Sequence, residues 1–497
     1  MKAFLWVVLS IATASYIVGP VVDPDLWWHI VIGRWIIQHQ AVPHFDYWTM
    51  FGTGLEWRAY SWVVEVVFAS TESLLGLQGL VILQYIFAGI LSFVFFHVFS
   101  RLARDHAFGA LVGMYCVVAT FNHFTLRPQV IVWAYFALLI LISDNILQRG
   151  WSLLRGCQVA FIMAAWANTH ISAVLGIVVA VGWLFQGRNR KSAFLVGLFG
   201  FFGTLLTPYL GGEWVMFFHT ASHPVSFASI REFAPATIGQ YSTGFVIILL
   251  VLLANGLHRV PGAISGPRLM LLSAFLILGL WIVKFLPFAC VLLAAQLAIL
   301  WRDHPREDGI NLGIGHLLRL VHRIPVQGLT FLLLCLTAKN IMGVWASPLN
   351  PSITPIRAVD FITKQALPSP LMNTFGQGGY VMYRNSDAQG EVTTKVNIDG
   401  RTNLISPAQW QNYMHALNGT EGWEKYVQDV SPQTILMSRE SPLVSILIAS
   451  GEWCLVYRDG SPERGDVVFV RRGYWEARSP TLQSTNCPPE SEKAVES

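Results

Sequence analysis

The chain has 497 residues, 54% of them hydrophobic and only 12% charged, with a formal net charge of +4. Soluble domains carry roughly a quarter charged residues, so this composition excludes an ordinary soluble enzyme. It also excludes a disordered chain, which needs low hydrophobicity and high charge.

Long apolar runs recur along most of the sequence, the pattern of a polytopic α-helical membrane protein. In chain order the expected spans are 4–21, 77–100, 107–122, 128–146, 157–169, 171–187, 193–208, 243–257, 269–284, 286–301 and 328–346, about eleven in all. Ala12-Thr13-Ala14 resembles a signal-peptide cleavage site, but the apolar run continues through Val22, which favours a retained first helix. With a cytoplasmic N-terminus, fourteen Lys and Arg fall in inside loops against about five outside. The odd span count then puts the C-terminal region outside, and 303–327 becomes a cytoplasmic loop with an amphipathic helix.

Charge divides the chain. Residues 1–345 hold 20 of the 33 basic and 13 of the 29 acidic residues, while the last 152 hold the remainder. The change near Pro348 separates a membrane body, 1–346, from a soluble domain, 347–477, followed by a disordered Pro/Ser/Glu-rich tail, 478–497. The soluble part reads as an α/β layer domain: helices near 355–366, 407–416, 421–429 and 441–449, strands near 370–373, 379–384, 393–398, 433–438, 453–458 and 466–471. The fold class is therefore an all-α polytopic membrane body with a C-terminal soluble α/β domain. Basic residues sit in short inter-helix loops, so no nucleic-acid partner is expected. Cys454 and Cys487 lie in the soluble part, with no spacing signature; whether they bridge in an oxidising compartment is left open by the sequence, the unbridged state being the more expected.

The first outer loop, 22–61, is the most informative stretch, opening Asp23-Pro24-Asp25-Leu26-Trp27-Trp28-His29. Carboxylates this close to hydrocarbon are costly unless they serve a wet cavity or a partner. Such a pair suits a divalent cation that neutralises a phosphate, or a general base acting on a hydroxyl. Asp23 before Pro also reads as a plain helix cap. Asp25 and His29 are four apart and share a face of the helix that follows. That helix is expected to lie in the membrane plane, with Trp27 and Trp28 anchored at headgroup level.

Other outer residues have bland readings beside functional ones. Arg127 suits carrier phosphate or snorkels to the interface. Asn168 and His170 end an apolar run, where His is most simply a structural hydrogen bonder. Glu232, beside Arg231, is an active-site acid or a surface charge. His219 and His223 would suit a metal if helical, but no third ligand is identifiable. Asp399-Gly400-Arg401 and Gly378-Gly379 read as tight turns. The sequon Asn418-Gly-Thr420 matters only in a eukaryotic secretory pathway.

Taken in order, these features resemble the GT-C superfamily of membrane glycosyltransferases, which includes protein O-mannosyltransferases, lipid A aminoarabinose transferases and oligosaccharyltransferase catalytic subunits. Asp23-x-Asp25-x-x-Trp28-His29 with Gly33, Pro43, Asp46 and Trp62-x-x-Glu65 resembles in particular a poorly characterised bacterial group. The likeness extends to Trp166-Ala-Asn-Thr-His170, Thr207-Pro208-Tyr209, Ile230-Arg-Glu232, Asn373 with Gly378-Gly379-Tyr380, and Ile398-Asp399-Gly400-Arg401. The resemblance implies transfer of a sugar from a polyprenyl-phosphate carrier to an extracytoplasmic glycan, lipid or protein acceptor, at the bacterial inner membrane. It implies Asp25, then Asp23, as catalytic residues or as ligands of Mg or Mn. His29, Arg34, Asp46, Arg58, Glu65, Arg127, Asn168, His170, Glu232 and Lys284 are the candidates for substrate binding. One departure stands out: Lys284-Phe-Leu-Pro287 replaces an Arg ahead of the Pro, and Lys lacks the bidentate fork. The alternatives are a lipid or glycan flippase, which the scarcity of midspan charge disfavours, and a catalytically inert scaffold of the same fold.

Overall fold

The computed structural model describes residues 2–185, 189–223, 225, 230–303, 326–460, 465–478 and 487. The amphipathic helix expected in 303–327 and nearly all of the expected disordered tail lie outside these residues. The chain divides into two compact units, one of Met1–Val21, Leu74–Ser222 and Phe227–Pro348, the other of Val22–Ser73, His223–Ser226 and Leu349–Ser497. The unit boundary at Pro348 coincides with the change in charge density, and the first outer loop groups with the C-terminal region.

The first unit is helical. Its elements are α1 (Lys2–Tyr16), the later part of α3 (Trp62–Ala103), α4 (His106–Ala119), α5 (Gln129–Arg149), α6 (Leu153–Ala167), α7 (Val174–Leu184), α8 (Arg190–Thr204), α9 (Gly212–Ser222), α10 (Tyr241–Arg259), α11 (Gly266–Trp281), α12 (Leu286–Asp303) and α13 (Val326–Ala346); α2 (Leu26–His39) belongs to the other unit. Each of the eleven expected spans overlaps a helix. Among the described residues four helical stretches are long and apolar enough to cross a membrane, Trp62–Ala103, Gln129–Arg149, Tyr241–Arg259 and Val283–Asp303, with shorter apolar helices beside them. α3 is interrupted at Gly76, whose backbone (φ +63°) leaves the helical region. α12 is buried on every side from Leu286 to Leu300, packing against α4, α5, α10 and α11. Small residues let backbones approach: a methyl at Gly203 would lie 2.4 Å from the Ala160 carbonyl oxygen, and one at Gly109 2.3 Å from the Ser100 nitrogen. Polar residues set the helix starts. Asp105 accepts the Ala107 and Phe108 N–H groups, and Ser152 accepts that of Arg155.

The second unit combines α2, the start of α3 and the C-terminal elements: α14 (Ile356–Lys364), β1 (Leu371–Met372), α15 (Gly378–Asn385), α16 (Pro407–Asn418), α17 (Trp423–Val430), β2 (Thr434–Ser438), α18 (Leu443–Ser450), β3 (Trp453–Arg458), β4 (Asp466–Arg471) and α19 (Arg472–Arg478). The sheet order is β1-β2-β4-β3; β1 runs parallel to β2 and the other pairs are antiparallel. Apolar residues of β2 and β4 meet α16, α17 and α18 in one core that includes Ile435, Met437, Val467, Phe469, Tyr413, Tyr426 and Leu447. α16 begins with Pro407 behind a Ser406/Gln409 capping box and ends at left-handed Gly419. Cys454 is disulfide-bonded to Cys487.

Two expected strands are not strands. Residues 378–385 form α15, and 393–398 are irregular apart from a bridge between Val396 and Thr49. A short apolar run cannot be assigned by periodicity alone. Here the decision is tertiary, because α15 packs along α2 and buries Tyr380, Val381 and Met382. α2 itself forms as expected, but Trp27 and Trp28 are buried by protein and not at an interface. Trp27 packs against Tyr380 and Tyr383, at ring separations of 5.0 and 4.9 Å.

Candidate active site in the loop–tail unit

The turn that opens α2 fixes the acidic pair. Asp23 Oδ1 accepts the backbone N–H of Asp25 at 2.9 Å, and Asp23 is buried. This is an Asx turn two residues ahead of the N-cap, so Asp23 is not the helix cap that Asp before Pro suggests: the helix begins at Leu26, not Pro24. Asp25 occupies the N-cap position and is half-buried. Its Oδ1 accepts the Trp28 Nε1–H at 3.2 Å. A carboxylate here gains from the unpaired N–H groups and positive end of the helix.

One turn on from Asp25, His29 Nδ1 lies 2.9 Å from Glu65 Oε1, both buried, and the His29 ring lies tilted by 33° against Trp28 with centroids 3.5 Å apart. Gly33 completes this seam, since a methyl there would fall 2.0 Å from the Glu65 carbonyl oxygen. The spacing His29, Gly33, Trp62-x-x-Glu65 is thus the packing code that seats α2 on the start of α3. Arg34 pairs with Glu72 at 2.7 Å, and Tyr383 donates to the same carboxylate at 2.8 Å. Arg58 pairs with its neighbour Glu56.

Asp46 enters a buried network that the sequence reading did not foresee. Arg401 Nη1 donates to Asp46 Oδ1 at 2.7 Å, while its Nε and Nη2 donate to Asp399 at 3.0 and 2.6 Å. The guanidinium lies 4.9, 5.5 and 5.8 Å from the ring centroids of Trp57, Trp48 and Trp28. Burial pushes the Asp399 carboxyl above its ordinary range, against the pull of Arg401, with Asp46 adding to the rise. Burial alone would lower the Arg401 guanidinium, but Asp399 and Asp46 together hold it above its usual value. Thr49 anchors Asp46 through its N–H and hydroxyl.

Between these two charged residues, Gly400 touches the acidic turn. A methyl at 400 would lie 1.8 Å from Asp25 Oδ1 and 3.1 Å from Trp28 Nε1. Neighbouring glycines serve the same approach: Gly379 faces the Pro24 carbonyl and Gly378 the Ile398 carbonyl, at 2.4 and 1.9 Å by the same measure. Asn373 and Asn397 tie this strip down, Asn373 Nδ2 donating to the Ile398 carbonyl at 2.8 Å and Asn397 Nδ2 to the Asn373 carbonyl and Tyr426 hydroxyl. The glycine motifs are therefore neither strand nor hairpin turn. They are points of backbone contact, and the legible signal was two opposite charges flanking a glycine.

The membrane unit holds its own polar cluster. Arg127 pairs with Glu232, and Lys284 Nζ lies 3.2 Å from the other oxygen of the same carboxylate. Burial would raise Glu232, but Lys284 and Arg127 outweigh it and hold the carboxyl down to about 2. His123, not singled out from sequence, donates to or accepts from Ser242 at 3.2 Å. Burial lowers it to about 4, with Glu232 opposing and Lys284 assisting. Asn168 Nδ2 donates to the Ala164 and Leu206 carbonyls, and His170 Nδ1 accepts the Ser172 N–H. α9 ends at Ser222, so His219 and His223 are not four apart on one helix. Among the described residues no three His, Cys, Asp or Glu gather as a metal centre.

No known family matches the chain, and no curated protein matches it. Among solved structures, the oligosaccharyltransferase of Archaeoglobus fulgidus, in complex with zinc and sulfate, aligns with a TM-score of 0.53 over 94% of this chain and 73% of that one. The chain shares its fold with an oligosaccharyltransferase. Identity is 10%, so the likeness is one of fold. The mycobacterial arabinofuranosyltransferase AftD aligns at a TM-score of 0.46 and 14% identity, over 95% of this chain but 40% of its own.

Proposed function

We propose that this chain is a GT-C membrane glycosyltransferase of the bacterial group its motifs resemble. It moves a sugar from a polyprenyl-phosphate carrier to an extracytoplasmic acceptor, with Asp25 as the catalytic carboxylate. The observation that carries this is Asp25 itself: half-buried, at the N-terminus of α2, and enclosed by Trp28 and Gly400 rather than turned into bulk water. The likeness of fold to an oligosaccharyltransferase supports the reaction class. The Cys454–Cys487 disulfide supports an oxidising compartment for the C-terminal region, in line with about eleven spans and a cytoplasmic N-terminus.

In this reading the acceptor hydroxyl oxygen bonds to the anomeric carbon, whose bond to the phosphate oxygen breaks. The hydroxyl proton passes to Asp25, and the carrier leaves as polyprenyl phosphate. Mg or Mn typically takes one or two carboxylates and completes its shell with substrate phosphate and water. Asp25 fits that pattern, with Asp23 beside it, and a cation there would neutralise the leaving phosphate. His29, Asp46 and Glu65 are buried and engaged with protein, so they support the site rather than touch substrate.

The test is turnover by reconstituted full-length protein. The donors are radiolabelled polyprenyl-phosphate-linked hexoses and pentoses, the acceptor is envelope extract, and each assay runs with and without chelator. Asp25→Asn should abolish transfer while the protein still folds. Wild-type turnover in Asp25→Ala overturns the assignment.

A further inference from the structure

Buried ion pairs are weak sources of stability; their best-attested use is to fix one arrangement against alternatives. The Arg401 network is such a device, and what it fixes is the strip of backbone that meets Asp25. Arg401 is clamped by Asp46 on the loop and Asp399 on its own strip, and it packs among three indoles. Trp28 belongs both to this cage and to Asp25, to which its indole N–H donates. Asn373 holds the strip two residues earlier, at the Ile398 carbonyl. The part of the strip left in contact with the carboxylate is Gly400.

We propose that Gly400 and Arg401 are positioning residues for the Asp25 carboxylate, a role that rests on the reading of Asp25 as catalytic. Arg401 fixes the height of the 399–401 backbone. Gly400, by lacking a side chain, lets that backbone close one side of the carboxylate and leaves Asp25 Oδ1 set against the Trp28 indole. The requirement at 400 is for space. A methyl at 1.8 Å must separate from Asp25 by about 1.6 Å to reach ordinary contact at 3.4 Å. A misplacement of about 1 Å at a reacting group costs on the order of 100-fold in rate.

The experiment compares Gly400→Ala with wild type and with Gly473→Ala, a control glycine with nothing within 4 Å of an added methyl. Full-length protein in detergent is labelled with a water-soluble carbodiimide and glycine ethyl ester at one fixed pH, and modification of Asp25 is read by mass spectrometry. Turnover is measured in parallel with the donors above. In Gly400→Ala the Asp25 labelling rate should change at least threefold, and kcat should fall on the order of 100-fold with KM for the donor little changed. Gly473→Ala should match wild type in both. Arg401→Lys keeps the charge but cannot bridge Asp46 and Asp399 as a fork; it should change Asp25 labelling in the same sense, to a smaller extent. Unchanged labelling and kcat in Gly400→Ala overturn the proposal, as does a loss seen only in KM. Full turnover in Asp25→Asn would instead remove the catalytic reading. The labelling result stands apart from that outcome, because it reports the carboxylate's surroundings without substrate.

Discussion

Arg401→Met tests the buried network most directly, because Met keeps much of the side-chain length while removing the charge. Asp46 and Asp399, 0% and 2% exposed, would stay buried without the guanidinium that bridges them. Removing one partner of such a pair costs about 3–5 kcal/mol, mostly the price of the charge left behind. Lost cation–π contact with three indoles adds a term of about 1–2 kcal/mol, which Met packing partly restores. The expected net loss for the loop–tail unit is about 3–5 kcal/mol at pH 8. Indole fluorescence in a denaturant titration of the solubilised protein can read it, since Trp28, Trp48 and Trp57 surround the site.

The sign of the pH dependence follows from Asp399. Burial already holds its carboxyl above the ordinary range while Arg401 pulls it down, so losing Arg401 raises it further. Above the ordinary carboxylate value, near ~4, the folded state then binds more protons than the unfolded, and stability falls as pH rises through the window up to the raised folded value. The deficit of Arg401→Met should therefore be smallest near ~pH 4 and largest above the raised value. The triple variant Asp46→Asn/Asp399→Asn/Arg401→Met leaves no buried charge and should recover most of the loss. A deficit below about 1 kcal/mol at pH 8, or no recovery in the triple variant, refutes the account of the network as a charge clamp.

His123 is held down to about 4, so the unfolded state takes up its proton first on acidification. Stability from this group is complete above the unfolded value of ~6.5 and is lost as pH falls toward 4. His123→Gln should flatten that acid limb in thermal-shift measurements between pH 7 and 4. Gly33→Ala places a methyl 2.0 Å from the Glu65 carbonyl oxygen and should destabilise the α2–α3 seam by about 1–3 kcal/mol, read as a lower denaturation midpoint.

Much of the architecture was legible because hydropathy reports burial in lipid or protein alike. Each expected span overlaps a helix, and the C-terminal helices near 355–366, 407–416 and 421–429 lie close to their expected bounds. The strands over 434–438, 453–458 and 466–471 were readable from their β-branched and aromatic runs. What could not be read was long-range pairing. Nothing local says that Asp46 and Arg401, 355 positions apart, share a hydrogen bond, or that residues 378–385 gain helical form by lying along α2. The same holds at the acidic pair. Asp23-Pro24 signals a turn locally, although not the cap itself, whereas the neighbour of Asp25 is a glycine in another part of the chain.

The sheet order leaves β3 as an outer strand, with β4 on one side of it. Such a margin offers unpaired amides to any passing chain, and natural proteins take care to block it. Here Cys487 is covalently joined to Cys454, the second residue of β3, with its sulfur 3.8 Å from the Trp453 carbonyl oxygen, so the crosslink sits against the start of that strand. The disulfide is thus a guard on self-association as well as a staple. Protein made where thiols stay reduced would lose that guard, and edge-to-edge oligomers relieved by oxidation would be its mark.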